Sequence, residues 1–398
     1  MLIKFYKLLP LLLLLVLQHG CSTMGPARNV EGNVPLDKAV TELSEAQLLD
    51  VWVELFDPGK LPEDADEALG LSMDIREAEA RYLPEQLRAT MESTGYWGAV
   101  RMVPRNTAGS ELLVRGTILE SDGERLVLEI TALDATGHEW FRRTYKEEIE
   151  YTQYMLSGQD GREVFRSLYN TIANDLAEFR MQLDAAETTA IRRVAALRFA
   201  SDLAPDAFGG YLEEDNGGFR IVHLPAADDL MYRRVQAIRE RDFLLIDTLN
   251  GHFDNFTRQM EPPYTEWRKA RSEEATALRE LEREALKRKL LGVAAIIGAI
   301  AIEASNNGNN AGASVLRDTL VLGGAYAIKT GFDKSSETEI HRDAIIELDE
   351  SFSSEAGPMV VEVEGETHEL TGTAEAQYAQ WRALLKRIYA TETGLSGS

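Results

Sequence analysis

The residues able to do chemistry are few and far apart in this 398-residue chain. Its six histidines are His19, His138, His223, His252, His341 and His368, and none stands in an H-x-x-x-H or H-E-x-x-H spacing. Hydrolytic zinc sites usually take two imidazoles one helical turn apart, so that chemistry is not signalled. There is no G-x-S-x-G, no S-x-x-K and no Walker loop, which removes the familiar serine nucleophiles and phosphate cradles. The segment NGHFDNF (250–256) sets His252 near Asp254 and is the most enzyme-like cluster, but the helical periodicity around it assigns it to a helix surface. Carboxylate pairs such as Asp64 with Asp66, or Asp228 with Asp229, are expected by chance among 66 acidic residues. General acid/base work would need them buried. The loop DLAPDAFGGYLEEDNGGF (202–219) gathers Asp206, Glu213, Glu214 and Asp215, off the EF-hand spacing, and reads as a solvated turn. The expectation is a protein that is not an enzyme, with no catalytic residue, no metal and no cofactor.

One thiol remains, Cys21, and its surroundings give it a different use. MLIKFYK supplies two lysines, LLPLLLLLVL is a short apolar core, and QHGC ends on the only cysteine. A basic start, an apolar stretch and a small residue before the cut describe a secretory signal over residues 1–20. The apolar core is too short to span a bilayer comfortably. Gly20 directly before Cys21 resembles the lipobox of bacterial lipoproteins. That resemblance implies cleavage after Gly20, acylation of Cys21 by palmitate-type chains, and a lipid-anchored protein facing the periplasm. Ser22, where an aspartate would favour the inner membrane, implies the inner leaflet of the outer membrane. A plain secretory signal with an incidental cysteine is the competing reading. An unpaired cysteine in an exported chain cannot form an internal disulfide, and lipidation accounts for it. The net charge of −24 disfavours nucleic acid, which is bound through clustered lysines and arginines.

Behind the cysteine, residues 21–35 are small, polar and contain Gly and Pro, and read as a tether. Residues 36–182 read as an α/β unit in the order β-α-β-β-β-β-α. Its strands are at 48–57, 98–104, 111–121, 125–135 and 138–149, and its helices at 72–95 and 162–180. Two phrases, LRATMESTGYWGAVRMVP and LLVRGTILESDGERLVLEITALDATG, resemble the small α/β domain at the N-terminus of TolB. The same domain occurs in curli-secretion-type and penicillin-binding-protein-activator lipoproteins, and the resemblance covers about residues 36–150. It implies a periplasmic binding or assembly module and carries over no functional residue. Residues 183–225 connect it to a mainly helical region, 226–398, in which Pro262 and Pro263 are expected to break or bend the chain. A β-hairpin at 359–370 and an amphipathic helix at 375–392 close the chain. The fold class expected is α+β, a small antiparallel-rich sheet with covering helices followed by a mainly helical domain.

The helical region contains LLGVAAIIGAIAI (290–302), thirteen uncharged residues, against the ~20 that span a bilayer as a helix. A second apolar segment, 313–332, holds Arg317 and Asp318, costly in lipid. Residues 286–331 are therefore expected to form a helical hairpin turned at NNGNNAG. It would be packed through Gly292, Gly298, Gly323 and Gly324 inside the protein or at an oligomer interface. The function these features predict is that of a non-catalytic scaffold or accessory factor, bound to another envelope protein or to copies of itself. The alternatives are a membrane-inserting or pore-forming oligomer built on residues 290–328, and an envelope hydrolase using His252 or a buried carboxylate.

Overall fold

Strands β4 (Leu112–Ser121), β5 (Arg125–Asp134) and β6 (Glu139–Glu148) run ten residues each and pair antiparallel. The turns between them place Gly123 and Gly137 at positive φ, where a side chain would be strained. Three short strands complete the sheet: β1 (Arg28–Val30), β2 (Val51–Glu54) and β3 (Val100–Val103). The order is β1-β6-β5-β4-β2-β3, with β2 parallel to both β3 and β4 and β1 parallel to β6. The computed structural model describes residues 27–63, 71–107, 109–150, 152–154, 163–226, 228–303, 342–347, 350, 359–363 and 366–393. Helices and a mixed sheet together make the α+β class.

Alternation along the strands sends side chains to two faces, and both faces are covered. Val51, Val53, Leu112, Val114, Leu128 and Ile130 point into a core shared with α1 (Met73–Glu92) and α2 (Arg166–Gln182). Trp52, Met102 and Leu113 point the other way, into a second core. That core is closed by α3 (Ala185–Leu203), the start of α5 (Leu230–Glu303) and α6 (Ala374–Thr393). A short helix, α4 (Pro205–Phe208), and a hairpin of β7 (Leu212–Asp215) and β8 (Gly218–Ile221) link α3 to α5. A second hairpin, β9 (Met359–Val363) with β10 (Glu366–Leu370), precedes α6.

Helix α1 contains a proline in its interior, and the sheet uses it. Pro84 has no N–H to give the Ala80 carbonyl. That carbonyl accepts from the Phe56 backbone N–H at 2.9 Å, just beyond β2. Helix α5 is the longest element, 74 residues or about 110 Å at helical rise. Early in its course it passes β3, the edge of the sheet. There Asn250 receives the Met102 N–H at 2.6 Å and donates to the Met102 carbonyl at 2.8 Å. One side chain thus pairs the outward backbone groups of an edge residue that would otherwise invite another strand.

Four expectations change. Residues 28–30, read as part of a tether, form β1, and Val34 and Pro35 are bonded through Ser167, Asn170 and Asn174 of α2. Pro262 and Pro263 lie inside a continuous α5 and do not break it. The carbonyls they leave without a donor are those of Arg258 and Gln259, both exposed residues, where water can serve them, while Met260, Tyr264 and Trp267 pin the helix to the first core. The 202–219 loop contains a hairpin, turned at Asn216 and Gly217, both at positive φ. That Asn-Gly pair is the local signal for a type I′ turn. Residues 256–267 and α6 share the two cores with the sheet, so the described helical region has no core separate from the α/β unit.

Candidate functional site

The residues singled out by type do not converge. His252 is exposed on α5, and its neighbour Asp254 is ion-paired with Arg258 one turn along. Phe253 and Phe256 face the two cores. Asp229 caps α5 by accepting from the backbone N–H groups of Met231 and Tyr232. Glu213 of the acidic loop is paired with Arg220 across the β7–β8 hairpin, and among the described residues no group of three or more His, Cys, Asp or Glu could hold a metal ion. Gly292 and Gly298 lie in the last part of α5. Gly20, Cys21, Gly323, Gly324, Asp64 and Asp66 lie outside the described residues, as does most of the 286–331 hairpin. No helix among the described residues is long and apolar enough to cross a membrane.

What the fold does bring together are buried charges at the helix contacts. Where α5 meets α1, Glu79 is fully buried and accepts from the Ser121 and Tyr264 hydroxyls, each at 2.6 Å. Burial pushes its carboxyl above the ordinary range, against the pull of Arg76, whose Nε stands 3.6 Å away. Beside it Arg268 grips Glu163 through two bonds of 2.6 and 2.9 Å and lies 4.2 Å over the Tyr264 ring. Burial alone would raise Glu163, but Arg268 overrides it and holds the carboxyl low. Where α6 meets α5, Asp242 is fully buried and accepts from Trp381 (3.1 Å), Tyr378 (3.3 Å) and Arg382 (3.0 Å). These groups are interior and, apart from Glu79 Oε2 and Arg268 Nε, bonded, so their role is to register the helices on the sheet.

One cavity presents unsatisfied polar groups to the outside. It measures about 230 Å³ and lies on the second sheet face, beneath the loop that joins β3 to β4. Leu113 and Leu133 from adjacent strands form its floor, and Thr107, Ser110, Arg115 and Arg198 stand around it. The loop is shaped by Glu54, whose carboxylate accepts from the Asn106 backbone N–H and from Arg115 Nε, both at 3.0 Å. Gly109 sits at φ +118° against Trp52 and Phe199, in a backbone conformation reserved for glycine. Arg198 projects from α3, lies 4.2 Å over the Phe219 ring and donates one bond, to the Ala135 carbonyl at 3.1 Å. Burial, with the Arg115 charge beside it, depresses the Arg198 pKa, opposed by Glu214 and Asp134.

In a chain with 66 acidic and 42 basic side chains, Arg198 has no ion pair among the described residues. No spacing in the sequence points to this group, because its members come from a loop, two strands and a helix. No protein-family model, no curated protein and no solved structure matches the chain.

Proposed function

We propose that the protein is a lipid-anchored interaction or assembly factor of the bacterial outer membrane, facing the periplasm, and that it works without catalysis. The observation that carries this reading is the N-terminal MLIKFYK–LLPLLLLLVL–QHGC, in which the only cysteine follows a small residue and an apolar core. Acyl chains at Cys21 would supply membrane affinity without any inserted helix. The β-α-β-β-β-β-α succession, with its resemblance to the TolB N-terminal module, supports a binding role. So does the use of the interior charges in helix registry, with a small polar cavity left open among the described residues.

The test is metabolic labelling with an alkyne analogue of palmitate, followed by membrane fractionation and in-cell crosslinking. Wild type is expected to carry the label, to float with outer-membrane fractions and to crosslink to a second envelope protein or to itself. Cys21→Ala is expected to lose the label and leave the membrane. An unlabelled wild type, or a labelled one that crosslinks to nothing at native abundance, counts against the proposal.

A further inference from the structure

Arg198 is the starting point. Its guanidinium carbon lies 4.2 Å over the Phe219 ring and one terminal nitrogen is tied to the Ala135 carbonyl, which leaves Nε and the other terminal nitrogen without a partner among the described residues. Arg115, on β4, faces the same cavity with Nε engaged by Glu54 and no further partner among the described residues. Between them the Ser110 side chain, 6% exposed, makes no hydrogen bond among the described residues and lines the cavity. Two guanidinium edges and a hydroxyl thus converge on one space, and all are hydrogen-bond donors.

Charge decides what fits. Glu54 neutralises Arg115 at 3.0 Å. The acid among the lining residues, Asp134, is turned into the β5–β6 turn, where Thr136 N, Thr136 Oγ1 and Trp140 Nε1 bond both of its oxygens. Arg198 is then the cation of the cavity with no carboxylate within ion-pair distance among the described residues. Asp134 and Glu214 act on it from farther off, and their charges repel a doubly charged phosphate more strongly than a monoanion. Planar guanidinium edges match the two oxygens of a carboxylate. The leucine floor favours a short apolar group attached to that carboxylate. At about 230 Å³ the space is below the ~300–1,000 Å³ of cofactor-sized sites, so a nucleotide does not fit and a carboxylate with a few carbons does.

We propose that this cavity binds a monoanionic carboxylate with a short apolar tail, with Arg198 as the principal anchor and Ser110 and Arg115 as supporting donors. The chemistry is shared by the C-terminus of a peptide and by a free short-chain carboxylate. Binding here needs neither the lipid at Cys21 nor a membrane, so the cavity and the envelope role can fail separately.

Calorimetric titration of the full-length protein tests it, with acetyl-Ala-Leu as free acid and as amide, butyrate and inorganic phosphate as probes. The free acid is expected to bind, and amidation to weaken binding about 10-fold or more, as loss of a charge-assisted contact does. Arg198→Gln is expected to weaken it by a similar factor, and Ser110→Ala by about 3-fold. Acid binding well above butyrate assigns the site to peptide C-termini, and equal binding to free carboxylates. Equal binding of acid and amide, tighter binding of phosphate, or no binding at millimolar concentration overturns the proposal. If Arg198→Gln does not melt cooperatively, the exposed Arg115→Gln is read instead, and unchanged affinity there overturns it too.

Discussion

Glu147, on β6, shows how a single buried carboxyl sets a pH dependence. Its side chain accepts from the Leu168 backbone N–H at 2.8 Å, yet burial outweighs that bond and pushes its pKa up to about 7. The unfolded chain ionises this group near 4.3. Between those values the folded state holds a proton that the unfolded state has released, so stability falls as pH rises through the window. Below about pH 4 and above about pH 7 the two states carry the same charge at this residue and its slope vanishes. Glu147→Gln keeps an acceptor for Leu168 and removes the titration. Urea denaturation across pH 4 to 8 should therefore show the variant gaining on wild type as pH rises to about 7, then holding a constant lead. A constant difference at every pH would refute the assignment.

At the scale of elements, the α5 contact with the β4–β5 turn depends on the absence of a side chain. A Cβ on Gly123 would stand 2.7 Å from the Arg268 carbonyl oxygen and 2.7 Å from the Arg271 Cβ, and the residue's φ is +90°. Both strain and clash therefore act against Gly123→Ala, which is predicted to cost about 2 kcal/mol or more. The effect should be local as well as global. Amide exchange of residues 260–272 should accelerate more than that of β5, because the clash lifts the helix off the turn while the strand ladders stay paired. The Tyr154 hydroxyl also donates to the Gly123 carbonyl, so the turn is held from both sides.

At the scale of the molecule, the second sheet face is closed by the last helix in the sequence. Tyr378, Trp381, Leu385 and Ile388 of α6 are buried against α3 and α5, and Arg382 bridges Asp242 and Asp202. Removing residues 371–398 would strip Asp242 of its three partners and bare the apolar sides of α3 and α5 that α6 covers. The truncated chain is predicted to lose its cooperative melt and to bind a hydrophobic dye, whereas Trp381→Phe should fold with a loss of about 1–3 kcal/mol. A truncation that melts like wild type would show that α6 is dispensable to this core.

Periodicity and turn chemistry were enough to read the strands and helices of residues 48–182, because alternation, Gly-containing turns and amphipathic spacing are properties of neighbouring residues. The Asn216–Gly217 hairpin is legible by the same rule, although its acidic neighbours make the segment read as a solvated turn. What the tertiary structure alone decided are the contacts between distant segments. These are β1 adding to β6, α5 running unbroken through two prolines because its flanks are buried, and Asn250 closing the β3 edge. The cavity belongs with them. Ser110, Arg115 and Arg198 are ordinary residues in sequence, and only the docking of α3 on the sheet leaves Arg198 without a counter-ion beside the other two. The lipobox-like pattern ending at Cys21 is read from neighbouring residues alone; the cavity depends on long-range packing, which no local pattern records.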